Sequence, residues 1–196
     1  MIELAALPFF AAAAYYDQRT RLVPSAIWLP PLVIGLAALA LDPSAAPEAA
    51  ASVALLGGVG AVLHRAGSFG LADVKALVVV AVVFPVAPSW TALDGWIPLF
   101  PLVVAFNAML VSLAYPASLA VRNALRGEWG RGMASRIEVP AENIGDVHGW
   151  VSGTGEDVAE CDPDGPVDVV PGVPYLVPLL AGILVSLVIG DPTGLL

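Results

Sequence analysis

Apolar residues in this chain come in blocks, and those blocks decide what it can fold into. Runs at 2–16, 24–41, 49–63, 74–88, 97–121 and 172–189 carry almost no charge. About 20 apolar residues take a helix across a bilayer, and about 17 is near the lower limit. Soluble domains are roughly one quarter charged, whereas this chain is 13% charged and 58% hydrophobic. A soluble all-α core is the competing fold, and the gathering of apolar residues into discrete runs weighs against it. The expectation is an all-α membrane protein. It is a polytopic bundle of six transmembrane helices with a polar cytoplasmic loop before the last one.

Local signals refine the blocks. The first is interrupted only by Glu3 and Pro8, and its helix is expected to continue past Asp17, with Arg19 and Arg21 snorkelling to the surface. A signal peptide carries its positive charge ahead of the apolar stretch; here Glu3 precedes it and the arginines follow, which excludes that reading. Pro30 and Pro31 are expected to kink or break the second block. Asp42, Pro43 and Ser44 make a polar turn, and Gly57, Gly58 and Gly60 allow close packing in the third block. Trp90 and Trp96 suit the membrane interface. Asn107 inside the fifth block is expected to hydrogen-bond to a neighbouring helix. The acid-rich stretch 122–171 reads as a loop without a core of its own. The domains expected are therefore a five-helix core at 1–121, the acidic loop at 122–171, and a sixth helix with the C-terminus at 172–196.

Charge gives the orientation. With six spans, Arg19, Arg21, Arg65, Lys75, Arg122, Arg126, Arg131 and Arg136 all fall on one face, and they are all eight basic residues of the chain. The opposite face has Glu3, Asp42, Glu48, Asp94 and Asp191. Basic loops stay in the cytoplasm, so both termini are expected outside, in a multi-pass plasma-membrane protein. Asp17 and Asp73 then share one depth on the cytoplasmic side. Arg126, Arg131 and Arg136 suit anionic headgroups.

Several function classes drop out. One cysteine, Cys161, excludes an internal disulfide or a multi-cysteine zinc site. The two histidines form no H-E-x-x-H motif, and no P-loop is present. A net charge of −9 argues against nucleic acid. No metal and no cofactor is expected.

The chemistry left is that of paired carboxylates. An acid where a helix meets lipid is costly and marks a functional candidate, and Asp17 and Asp73 both stand at such places. Two carboxylates within about 3–5 Å hold one proton between them near neutral pH. The ionised one can activate water as general base, and the protonated one can donate to the carbonyl or the leaving amine. Gly67 and Gly70 before Asp73 permit unusual backbone geometry and close approach of a substrate strand. His64 stands near the same membrane face and reads as an interface residue. The competing functional class is a proton- or cation-coupled transporter using the same aspartates. Their position at the membrane edge, and the lack of a visible inverted repeat, weigh against it.

Two stretches carry a family resemblance. Asp17-Gln18-Arg19-Thr20-Arg21-Leu22-Val23-Pro24 resembles the first catalytic motif of the prepilin and preflagellin peptidases, aspartic membrane proteases of the GxGD type. Gly70-Leu71-Ala72-Asp73-Val74-Lys75 resembles the second, GxGD followed by a basic residue. Ser25 stands where asparagine is usual, and Ala72 replaces the second glycine. The resemblance implies Asp17 and Asp73 as catalytic residues, with Gly70, Ala72, Lys75, Arg19, Arg21 and Pro24 as motif or substrate-binding residues. It also implies preflagellin (archaellin) or type IV prepilin-like precursors as substrates, cut between a basic leader and a hydrophobic helix at the cytoplasmic face. Residues 172–174 look like the archaeal members. The cysteine-rich insert of larger bacterial relatives has no counterpart beside a lone Cys161, so N-methyltransferase activity is not implied.

Overall fold

The computed structural model describes residues 2–89, 91, 97, 99–127, 137–140, 149–151, 166–171 and 175–192, and proline sets most of its helix starts. A 3₁₀ turn at Ile2–Ala6 leads into α1, Leu7–Thr20, with Pro8 in the first turn where its missing N–H costs nothing. The helix continues past Asp17 as expected. Pro30 and Pro31 divide the second block: a 3₁₀ turn at Ser25–Trp28 gives way to α2, Leu29–Leu41, with both prolines at its start. Asp42 then accepts the Ser44 N–H at 3.2 Å, closing the expected polar turn. Beyond it lie α3, Ala46–Arg65, and α4, Leu71–Val83. The fourth helix is shorter than its apolar block. Pro85 biases Phe84 away from helical geometry, and Phe84 ends α4 at φ −124°, ψ 61°.

The remaining helices are α5, Phe100–Ser112, α6, Ala114–Leu125, and α7, Leu176–Val188. The fifth block, expected as one interrupted span, thus holds two helices. Pro116 has no N–H to give the Ser112 carbonyl, which is where α5 stops. Trp90, Asp94, Trp96, Arg131, Arg136, Cys161 and residues 172–174 lie outside the described residues.

Two compact units emerge, Met1–Val111 with Pro174–Leu196, and Ser112–Val173. The first is helical and centres on α4, which is buried at Ala76, Leu77 and every position from Val79 to Phe84. A helix apolar on all sides belongs inside, and α2 and α3 pack on it. Small residues set the spacing. A Cβ on Gly35 of α2 would stand 3.0 Å from the Val82 backbone, and one on Gly60 of α3 would stand 3.2 Å from Val74. Gly58 faces open space instead, so the glycine cluster serves packing only in part. On the outside, Leu29, Val33 and Leu36 of α2 and Leu55, Val59 and Val62 of α3 are exposed. The stretch Pro43–Arg65, and α5 and α6 taken together as Phe100–Leu125, are long and apolar enough to cross a membrane, and only 22% and 28% of their apolar windows are buried. Core helices of soluble proteins bury most of such a surface, whereas these leave most of it outward.

The α5–α7 contact holds a polar pair. Asn107, 3% exposed, donates to Ser186 Oγ at 2.8 Å and to the Gly190 carbonyl at 3.2 Å, the interhelical bond expected of it. Asp191 caps the same end by accepting the Ile97 N–H at 2.8 Å. Interhelical bonds of this kind contribute about 1 kcal/mol. Asn107→Ala should lower the unfolding midpoint in detergent by a few degrees. An unchanged midpoint would show that the pair contributes nothing net.

The second unit shows regular structure in the acid-rich stretch expected as a loop without a core of its own. Besides α6 it holds β1, Ile137–Pro140, β2, Gly149–Val151, and β3, Pro166–Pro171, in an antiparallel sheet of order β1-β3-β2. Pro140 pairs with Pro166. Neither can donate to the ladder, so pairing stops there.

Candidate active site

Asp17 lies in the last turn of α1, a poor place for an anion because the helix carbonyls converge there. It is nonetheless 9% exposed. Its compensation comes from α7, whose free N-terminal amides carry the opposite partial charge. The Leu176 N–H donates to Asp17 Oδ2 at 3.2 Å, across 159 residues of sequence. Four residues on, Arg21 ends α1 at φ 57°, the left-handed region, and its N–H donates to the Asp17 carbonyl at 3.2 Å. That turn redirects the chain toward Pro24, whose carbonyl accepts the Ile27 N–H at 3.0 Å and starts the next 3₁₀ turn.

Asp73 sits in the first turn of α4, where a carboxylate is favoured. Its Oδ2 accepts the Gly70 N–H at 2.8 Å, half of a capping box. Within the glycine turn, only Gly67 needs to be glycine for its backbone, at φ +74°. Gly70 has φ −73°, and a Cβ there would stand 3.4 Å from Asp73 Oδ2. This corrects the expectation that both glycines supply unusual geometry: at Gly70 the backbone is ordinary and a Cβ would make only an ordinary contact with the carboxylate. Ala72 lies in the helical first turn at negative φ, so this position makes no conformational demand for glycine.

The two motifs meet. Asp73 is half-buried. Lys75 Nζ donates to Ser25 Oγ at 2.7 Å, bonding the second motif to the end of the first. The serine standing in for asparagine thus still offers an acceptor there. Arg19 points away; it is exposed, with its guanidinium 5.6 Å from the centre of the Tyr15 ring. His64, itself exposed, braces the glycine turn through a 2.9 Å contact between Nδ1 and the Phe69 carbonyl.

Three residues escaped sequence reasoning. Phe69, Tyr175 and Leu176 bring α7 to the pair, with the Phe69 and Tyr175 rings 4.7 Å apart at 40°. The only signal was position, since Tyr175 and Leu176 follow directly on 172–174. Among the described residues no group of three or more His, Cys, Asp or Glu side chains is placed to hold a metal ion.

The sequence profile of the type IV leader peptidase family matches residues 4–117, more than half of the chain and both motifs. The chain belongs to the type IV leader peptidase family. Comparison with curated proteins gives no significant match. For a leader peptidase, the matched region covers α1 to α5, and the contact of Asp17 with α7 lies partly beyond it.

Proposed function

We propose that this leader peptidase is an aspartic endopeptidase that removes the basic leader from preflagellin or type IV prepilin-like precursors. Asp17 and Asp73 act as the pair. The ionised carboxylate takes a proton from water as the oxygen attacks the scissile carbonyl, and the protonated one supports the carbonyl oxygen. Collapse of the tetrahedral intermediate breaks the C–N bond, with a proton passed to the leaving amine. The observation that carries this reading is the 2.7 Å bond from Lys75 to Ser25, which ties the two aspartate-bearing motifs together inside the matched region.

Six spans, with Asp17 and Asp73 at the cytoplasmic face and both termini outside, fit the charge distribution. A basic leader would be drawn to the acidic pair while its hydrophobic helix lies in lipid beside α2 or α3. Gly70, Lys75, Arg21 and Pro24 shape the site; Arg19, pointing outward, is suited to headgroups.

The test is processing by the purified chain in vesicles. A precursor with a basic leader and a hydrophobic helix should shorten on a gel, and mass analysis should show an unmethylated new N-terminus. An intact precursor would overturn the proposal. Ion flux that depends on Asp73, without cleavage, would do the same.

A further inference from the structure

The start of α7 touches the carriers of both aspartates. Leu176 donates its N–H to Asp17. Tyr175, one residue earlier, lays its ring against Phe69 of the glycine turn that delivers Asp73. The Phe69 carbonyl also meets His64 Nδ1, at 2.9 Å. The turn needs such support, because Gly67 is exposed, with nothing within 4 Å of where a Cβ would stand, and glycine is the residue least restrained by its own backbone. Both rings are half-buried.

We propose that Tyr175 is a positioning residue: stacked on Phe69, it fixes the glycine turn relative to the α7 amide that holds Asp17, and so sets the geometry of the acid pair. The proposal rests on reading Asp17 and Asp73 as the reacting groups. Tyr175 acts through its ring, in contact with Phe69, rather than through proton transfer.

Misplacement of reacting groups by about 1 Å costs roughly 100-fold in rate. Tyr175→Ala in the full chain, reconstituted in vesicles with a precursor, should therefore lower kcat by about 10- to 100-fold. KM should stay within about twofold, because substrate binding is untouched. Tyr175→Phe keeps the ring and should restore kcat to within about threefold of the parent. Phe69→Ala should match Tyr175→Ala, and the double variant should be no slower than either, since one contact is lost in all three. Tyr175→Ala at parental rate, Tyr175→Phe as slow as Tyr175→Ala, or additive losses would each overturn the proposal.

A second readout does not depend on proteolysis. Spin labels on Thr20→Cys and Ser68→Cys, in a Cys161→Ser background, report the separation of the two carriers; both positions are exposed. One narrow distance distribution is expected, broadened by Tyr175→Ala and restored by Tyr175→Phe. Unchanged distributions would overturn the positioning role. Broadening in a chain that cuts no precursor would leave that role standing and refute the protease reading.

Discussion

Asp73→Asn should stop leader removal, and so should Asp17→Asn, with rates falling at least about 1,000-fold, within the range general acid–base groups supply. Asparagine suits the test because it keeps the shape and an acceptor oxygen. The Gly70 N–H to position 73 and the Leu176 N–H to position 17 both survive. What disappears is the capacity to take up and release a proton. Folding should be unaffected, so equal protein levels and thermal midpoints are part of the expected result. Asp42→Asn is the matched control; Asp42 caps a turn through Ser44 and should leave cleavage unchanged. Initial rates of precursor shortening give the answer. Either motif variant working above a few per cent of the parent would remove that aspartate from the mechanism.

The second large effect is structural. Gly182 lies where α7 crosses α5, and a Cβ there would stand 2.6 Å from the Ala108 backbone nitrogen and 2.8 Å from its Cα. Backbone cannot swing aside as a side chain can. Gly182→Ala must therefore push the helices apart, loosening Val104, Leu179 and Ile183, all almost fully buried, and stretching the Asn107–Ser186 bond. Overpacking a tight core costs about 1–3 kcal/mol, and this site belongs at the upper end. Gly182→Leu should yield little folded protein. Gly58→Ala is the contrast, for its Cβ meets nothing within 4 Å. It should gain about 0.5–1 kcal/mol from better helix propensity. Thermal unfolding in detergent compares all three; a parental midpoint for Gly182→Ala would contradict the close crossing.

Much of this arrangement was legible because the signals are local. Prolines at 8, 30, 31 and 116 act on their own turns, so helix starts and stops follow from sequence. Asp17 and Asp73 were visible because charge is rare in apolar runs, and Asn107 stood out for the same reason. Contacts between distant segments left no such trace. Nothing around Leu176 announces that its amide meets Asp17, and nothing around Ser25 announces Lys75. Gly35 and Gly182 look like any glycine in an apolar helix until the neighbouring backbone is in place. The sheet in the second unit was missed because its strands are three to six residues long and lie within a polar, acid-rich stretch.

The brevity of α4 has one more consequence. Its 13 residues rise only about 20 Å, against a hydrocarbon layer of about 30 Å. Because α4 is buried beneath α2 and α3, its short length is surrounded by protein rather than by lipid. Asp73 rides at one end of that helix. Under the proposed mechanism, a helix end that stops short of the layer's edge would leave the carboxylate nearer to the water that each cleavage consumes.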